Sequence, residues 1–192
     1  MEALGTTIAG GFAEYVSAPA KNLFKFENVS FQEAALAEPL ACVIYGHKRG
    51  AVNIGDDVLI FGAGPLGLLH LQMANNSGAA SLTICDLKQN KLELAKELGA
   101  DNVVNVSEED LEVLSDIQPY GFDMVIDATG VSQVVEDSVQ YVKNTGKLMV
   151  FGVCPQDSEI NVNPYEIYRR DIEMFGVFAL NKTLGEAIKL ID

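Results

Sequence analysis

From Asp57 onward the chain alternates short apolar runs with longer amphipathic stretches, and few folds accept that pattern. The apolar runs fall at 58–61, 81–85, 102–106, 124–126, 147–151 and 172–178, and helical candidates lie between them at 66–76, 88–98, 108–117 and 131–142. A strand that is apolar on every residue has to be covered on both faces, and helices placed between successive strands supply that cover. The fold class is therefore α/β, a doubly wound parallel sheet with right-handed crossovers. Before residue 38 the pattern differs. Residues 10–17 read as a β-like run after Gly10-Gly11, and 19–26 as loop and edge strand. Between 32 and 49, Ala35, Leu36, Leu40, Val43 and Ile44 recur at helical spacing, with a helix expected to start at Pro39, where its ring is tolerated.

The first apolar run ends in Gly62-Ala63-Gly64-Pro65-Leu66-Gly67, which opens a helix. Three glycines at this spacing arise easily by chance, but each here has a physical task in a dinucleotide-binding turn. Gly62 permits a tight turn, Gly64 lets a pyrophosphate approach the backbone, and Gly67 allows close packing of helix on strand. Pro65 suits a first helical turn, and the unpaired N–H groups of Leu66 and Gly67 with the helix dipole attract an anion. The second run ends at Asp86, nineteen residues after the last glycine, where a carboxylate can accept both adenosine ribose hydroxyls. The sheet is then of Rossmann type. A ribose 2′-phosphate would meet the charge of Asp86, so NAD is expected over NADP, although Lys88 softens that rejection.

Other nucleotide chemistries lack their residues. A P-loop needs Gly-Lys-Ser/Thr, and Leu68-Leu69 follow Gly67. A methyltransferase usually sets an acid before its glycines, where this chain has Leu59-Ile60-Phe61, and no tyrosine has the lysine four residues on that a short-chain reductase uses. Composition narrows the partners. Thirteen basic residues against 27 acidic give a net charge of −14, which suits neither nucleic acid nor anionic lipid. No apolar run reaches the ~18 residues of a membrane helix, and the opening Met1–Gly5 lacks the basic and apolar regions of a signal peptide. Cys42, Cys85 and Cys154 are too scattered for a disulfide framework or a zinc knuckle. A reduced, cytoplasmic protein is expected.

Several ordered motifs point the same way: Gly10-Gly11-Phe12-Ala13-Glu14-Tyr15-Val16, Ala37-Glu38-Pro39-Leu40-Ala41-Cys42, the glycine turn, Glu97-Leu98-Gly99-Ala100-Asp101, Val125-Ile126-Asp127-Ala128-Thr129-Gly130 and Val150-Phe151-Gly152-Val153. With them the chain resembles the medium-chain, zinc-dependent alcohol dehydrogenase superfamily, most closely its sorbitol/arabinitol (polyol) branch, with threonine dehydrogenases nearby. The resemblance implies that Gly62, Gly64, Pro65, Leu66 and Gly67 bind the pyrophosphate, and that Asp86 and Lys91 hold the adenosine ribose. It places Asp127 and Thr129 beside the cofactor, Gly152 and Val153 at the nicotinamide carboxamide, and Phe178 on the far side of that ring. Glu38 matches a position that faces the catalytic zinc, and Cys42 would lie near the nicotinamide. The implied parent oxidises a secondary alcohol of a polyol, or reduces the ketose, passing hydride to NAD.

The chain departs from that family by an absence. Relatives carry a lobe that supplies cysteine, histidine and an acid to zinc, whereas only His47 and His70 are present here. Residues 1–37 are read as the remnant of that catalytic lobe, 38–180 as the NAD-binding domain and 181–192 as the start of a truncated helix. On this reading zinc belongs to the full-length parent and the fragment by itself is inactive. Two alternatives use the same nucleotide lobe: a zinc-free quinone or enoyl reductase, and a non-enzymatic NAD-sensing module. His47, beside Lys48-Arg49, reads as a solvated helix-end residue, His70 as packing or surface, Cys42 and Cys85 as core, and Cys154 as partly exposed. The run from Ile172 to Phe178 would form an exposed sheet edge that pairs with a second copy into a homodimer.

Overall fold

The computed structural model describes residues 4–192, so the first three residues of the expected remnant lie outside the described residues. Six strands, β1 (Asp57–Phe61), β2 (Ser81–Asp86), β3 (Asn102–Asn105), β4 (Phe122–Asp127), β5 (Val142–Val150) and β6 (Glu173–Gly176), form one parallel sheet in the order β3-β2-β1-β4-β5-β6. This is the doubly wound sheet that the alternating pattern implies. Its helices are α1 (Phe31–Ala34), α2 (Ala37–Arg49), α3 (Pro65–Asn76), α4 (Gln89–Glu97), α5 (Val113–Ile117), α6 (Ser132–Tyr141), α7 (Pro164–Arg170) and α8 (Leu184–Ile191).

Side chains of successive strand residues point to opposite faces, and that alternation fills two cores. Val58 and Ile60 of β1 join Met124 and Ile126 of β4 under α3 and α4, where Leu71, Ala74, Leu92 and Ala95 close one core. Leu59 and Phe61 join Val125 and Leu148 on the other face, covered by Leu114 and Tyr141. A third cluster pairs α2 with α8 through Ala37, Leu40, Ala41, Ile44 and Ala187. Residues 4–36 contain no buried residue.

The structure corrects several sequence expectations. The stretch 10–17 forms bends rather than a strand, and 19–26 holds a single 3-10 turn at Ala20–Asn22 in place of an edge strand. The helix expected to start at Pro39 begins at Ala37, with Pro39 still in its first turn, where a missing N–H costs nothing. The candidate at 108–117 shrinks to Val113–Ile117 because side chains compete for its backbone: Ser107 N donates to Asn105 Oδ1 (3.1 Å) and Glu112 N to Asp110 Oδ1 (3.1 Å). β5 starts five residues before the expected run, with a register irregularity against β4. β6 keeps only four of the seven expected residues, because Asp171 just before it and Ala179 just after it take left-handed conformations that turn the chain.

His47 is the largest correction. It is 9% exposed rather than solvated, since α3 and α8 cover the last turn of α2, and its Nε2 lies 3.2 Å from Nδ1 of fully buried His70. Cys85 is buried as expected and His70 takes the packing role rather than the surface one, whereas Cys42, read as core, is only partly buried at its edge, and Cys154 is partly exposed as expected.

Because Leu59 sits at the centre of the sheet with no exposure, Leu59→Ala should cost about 2–5 kcal/mol of unfolding free energy, measured by equilibrium urea denaturation.

Candidate functional site

The strand order reverses at β1, whose neighbours β2 and β4 send their chains to opposite faces, so a crevice opens beyond the carboxyl ends of these strands. The turn after β1 is built to border it. Gly62 takes φ +99°, a left-handed conformation, and its N–H donates to Cys85 O at 2.8 Å. A Cβ on Gly67 would sit 1.8 Å from Gly62 O, so α3 reaches this close to the strand end only with glycine there. A Cβ on Gly64 would meet no atom within 4 Å. The fold itself therefore does not require glycine at 64, which opens toward the crevice. Gly64 is the N-cap of α3 with no side-chain cap, and Pro65 takes the first helical position, leaving the N–H groups of Leu66 and Gly67 available at the positive end of the helix.

Asp86 closes the far wall. Its Oδ2 accepts from Ala63 N (2.8 Å) and Lys91 Nζ (3.2 Å), and its Oδ1 accepts from Lys88 N (3.0 Å). Burial pushes this carboxyl up, but those three donors together hold it below the ordinary aspartate value. Gly62, Gly64, Asp86, Lys91 and Thr129 line one hollow of about 450 Å³. Leu87, Val106, Val131 and Val134 supply its apolar wall. The sequence reading does not name these four as site residues, because nothing in an apolar residue's identity says that it faces a crevice rather than a core.

Asp127 lies under the site instead of lining it. It is fully buried, and its Oδ1 accepts from Thr129 N (2.9 Å) and Thr129 Oγ1 (2.5 Å), while Val131 N donates to Thr129 Oγ1 (3.1 Å). Its Oδ2 has no hydrogen-bond partner among the described residues and packs beneath Gly152, where a Cβ would come within 2.8 Å of it. The carboxylate thus shapes the 127–131 turn. Gly152 also presses against Gly130, whose nitrogen would be 2.1 Å from a Gly152 Cβ. Val153 and Phe178 are 92% and 81% exposed and stand outside the hollow, as does Glu38 in the first turn of α2.

Glu38 accepts from Cys42 Sγ at 3.6 Å, and burial together with that carboxylate pushes the Cys42 thiol up to about 11. Among the described residues no three His, Cys, Asp or Glu side chains converge as a metal site, so these residues by themselves do not compose a zinc site. Likewise no helix among them is long and apolar enough to cross a membrane.

A doubly wound sheet with a glycine turn at its switch point and an acid at the end of the next strand defines the class of dinucleotide-binding domains. The profile of the family described as zinc-binding dehydrogenase matches residues 65–192, and the chain belongs to that family. It is 36% identical over its whole length to D-altritol 5-dehydrogenase of Agrobacterium fabrum, covering 57% of that protein. It is 34% identical over its whole length to D-arabinitol dehydrogenase 1 of Uromyces fabae, covering 56%. The chain therefore spans little more than half the length of these relatives. A crystal structure of a Sinorhizobium meliloti protein described as a zinc-binding dehydrogenase bound to NADP superposes with a TM-score of 0.92 at 32% identity, over 98% of this chain and 57% of that one.

The two glycines separate fold from binding. Gly67→Ala should destabilise the chain by about 1–3 kcal/mol through overpacking, whereas Gly64→Ala should stay within about 1 kcal/mol of the natural chain. Thermal and urea unfolding of the two variants side by side reads the difference.

Proposed function

We propose that the crevice binds NAD, with Gly62, Gly64, Pro65, Leu66 and Gly67 around the pyrophosphate and Asp86 and Lys91 on the adenosine ribose. Thr129, held by Asp127 beneath it, borders the cofactor. Gly152 and Val153 meet the nicotinamide carboxamide through backbone groups, and Phe178 closes that side. The observation that carries this reading is the open space over Gly64 at the uncapped N-terminus of α3, facing a hollow bounded by a carboxylate. An anion is favoured at the helix end, and a vicinal diol can donate both hydroxyls to a carboxylate.

The reading extends to the whole protein as a cytoplasmic NAD-dependent zinc dehydrogenase that oxidises a secondary alcohol of a polyol, supported by the altritol and arabinitol enzymes among its relatives. Zinc, when bound in such a protein, acts as a Lewis acid on the substrate oxygen, and Glu38 would face it. Residues 1–37 would end the catalytic lobe, 38–180 form the cofactor domain, and 181–192 begin the helix that leads onward. This chain's own task would be to hold and orient the nicotinamide ring. NAD is favoured over NADP because a 2′-phosphate would meet the Asp86 carboxylate, although the neighbouring Lys91 ammonium tempers that repulsion.

Calorimetric titration tests the cofactor reading. NAD should bind, NADP more weakly, and both Asp86→Ala and Gly64→Ala should weaken NAD at least about tenfold without unfolding the chain. Absence of NAD binding to the natural chain, or variants that bind equally well, would overturn it.

Homodimerisation is the second proposal, through the edge between Ile172 and Phe178. Among the described residues its strand core, Glu173–Gly176, pairs only with β5 and leaves one edge of the sheet open. Sedimentation velocity at tens of micromolar should show a dimer, and Met174→Pro should return it to monomer.

A further inference from the structure

Two imidazoles meet in an apolar seam between α2 and α3, and nothing proposed above uses them. His47 comes from the last turn of α2 and His70 from the middle of α3, with His47 Nε2 3.2 Å from His70 Nδ1 and the rings stacked at 24°. Phe151 closes on His70 edge-on at 4.4 Å, and a Cβ at Gly46 would touch both Met149 Sδ (3.0 Å) and His70 Cε1 (3.6 Å). The outer nitrogens, His47 Nδ1 and His70 Nε2, are buried without a partner among the described residues. In the neutral pair one N–H bridges the two rings, and whichever ring donates it, one N–H and one bare nitrogen remain outside that bond. The spacing does not suit a linear metal bridge, which would need two bonds of about 2.0 Å end to end, and no third ligand converges among the described residues.

Among the described residues, charge in this seam has no counter-ion of its own. The groups on α3 and the β5 end that face the pair are Met73, Met149 and Phe151, none of which ionises. On the α2 and α8 side, a surface hollow of about 420 Å³ beside His47 is lined by Lys48, Glu186 and Lys189, and Glu186 is already paired with Lys48 at 2.6 Å. Arg49 turns the other way, over the Phe175 ring and onto Gly176 O. The hollow gives protons a route to His47, but the cation formed there would face two lysines and a carboxylate already engaged.

We infer that the His47–His70 pair is an acid-sensitive latch on the seam between α2 and α3, holding the glycine helix against the helix that carries Glu38 near neutral pH and opening more often as the pH falls into mild acid. Burial holds His47 down to about 4, and burial together with His47 holds His70 well below the usual histidine value. A base depressed in the closed state binds fewer protons there than in an opened seam, where it returns to about 6.5. Closure is therefore fully favoured above that value and weakens as pH falls below it. From pH 7.5 to 5.0 the opened fraction rises about thirtyfold for each histidine. The latch would operate whatever ligand the crevice takes.

Hydrogen exchange on the 192-residue chain at pH 7.5 and 5.0, corrected for intrinsic rates, tests it. Amides of α2 and α3 should lose protection at least about tenfold more than those of β1 and β4, and a His47→Leu/His70→Leu variant should abolish the difference. Equal losses everywhere, no loss, or the same loss in the variant would overturn the latch. Should the variant fail to fold, NMR titration of the natural chain decides. Both rings remaining neutral to pH 5 in the folded protein supports the latch, and either ring titrating near 6.5 overturns it.

Discussion

The close approach of α3 to the end of β1 is the constraint on which the rest of the site depends. With Gly67 seated against the Gly62 carbonyl, the helix axis points at the end of the strand and its unpaired N–H groups converge on the crevice. Any side chain at 67 would push the helix outward and disperse those donors. The Asp86 carboxylate fixes the other side of the same turn by accepting from Ala63 N. Its other oxygen, Oδ1, accepts from Lys88 N, so both oxygens serve the fold and the wall is held in place without a ligand.

The opposite wall follows a similar economy. Asp127 is buried and spends one oxygen on Thr129, which in turn holds Val131 N at the start of α6. Gly130 and Gly152 then bring the ends of β4 and β5 so close that neither tolerates a Cβ. Behind both walls α2 packs on α3 and α8, and the paired imidazoles sit in that seam. The helices that carry Glu38 and the glycine turn thus share a pair of buried imidazoles as well as apolar contacts, whereas the strands beneath them bury apolar side chains on both faces.

Much of this was legible in the residues. The strand–turn–helix–strand–acid order located one wall of the crevice because each step needs a particular residue type: left-handed φ at Gly62, closeness at Gly67, charge at Asp86. Helix α7 also carried its signal unread, since Asn163 caps Tyr165 N (3.0 Å), Pro164 opens the helix, Glu166 lies in its first turn and Arg169-Arg170 in its last. By contrast, residues 10–26 looked like strand and edge, yet among the described residues they pair with none of the six strands, and local β-propensity is weak without a partner.

Local pattern, then, determined the fold class, the sheet's parallel character and the place of the glycine turn, because periodicity and backbone freedom are properties of short segments. Tertiary structure alone decided which apolar residues wall the crevice, that Asp127 shapes a turn beneath the crevice rather than bordering it, and that His47 is buried. Adjacent Lys48 and Arg49 made His47 look like a surface residue. What buried it was the packing of α3 and α8 over the end of α2, a contact between segments more than twenty and more than a hundred residues away, which no local window of sequence contains.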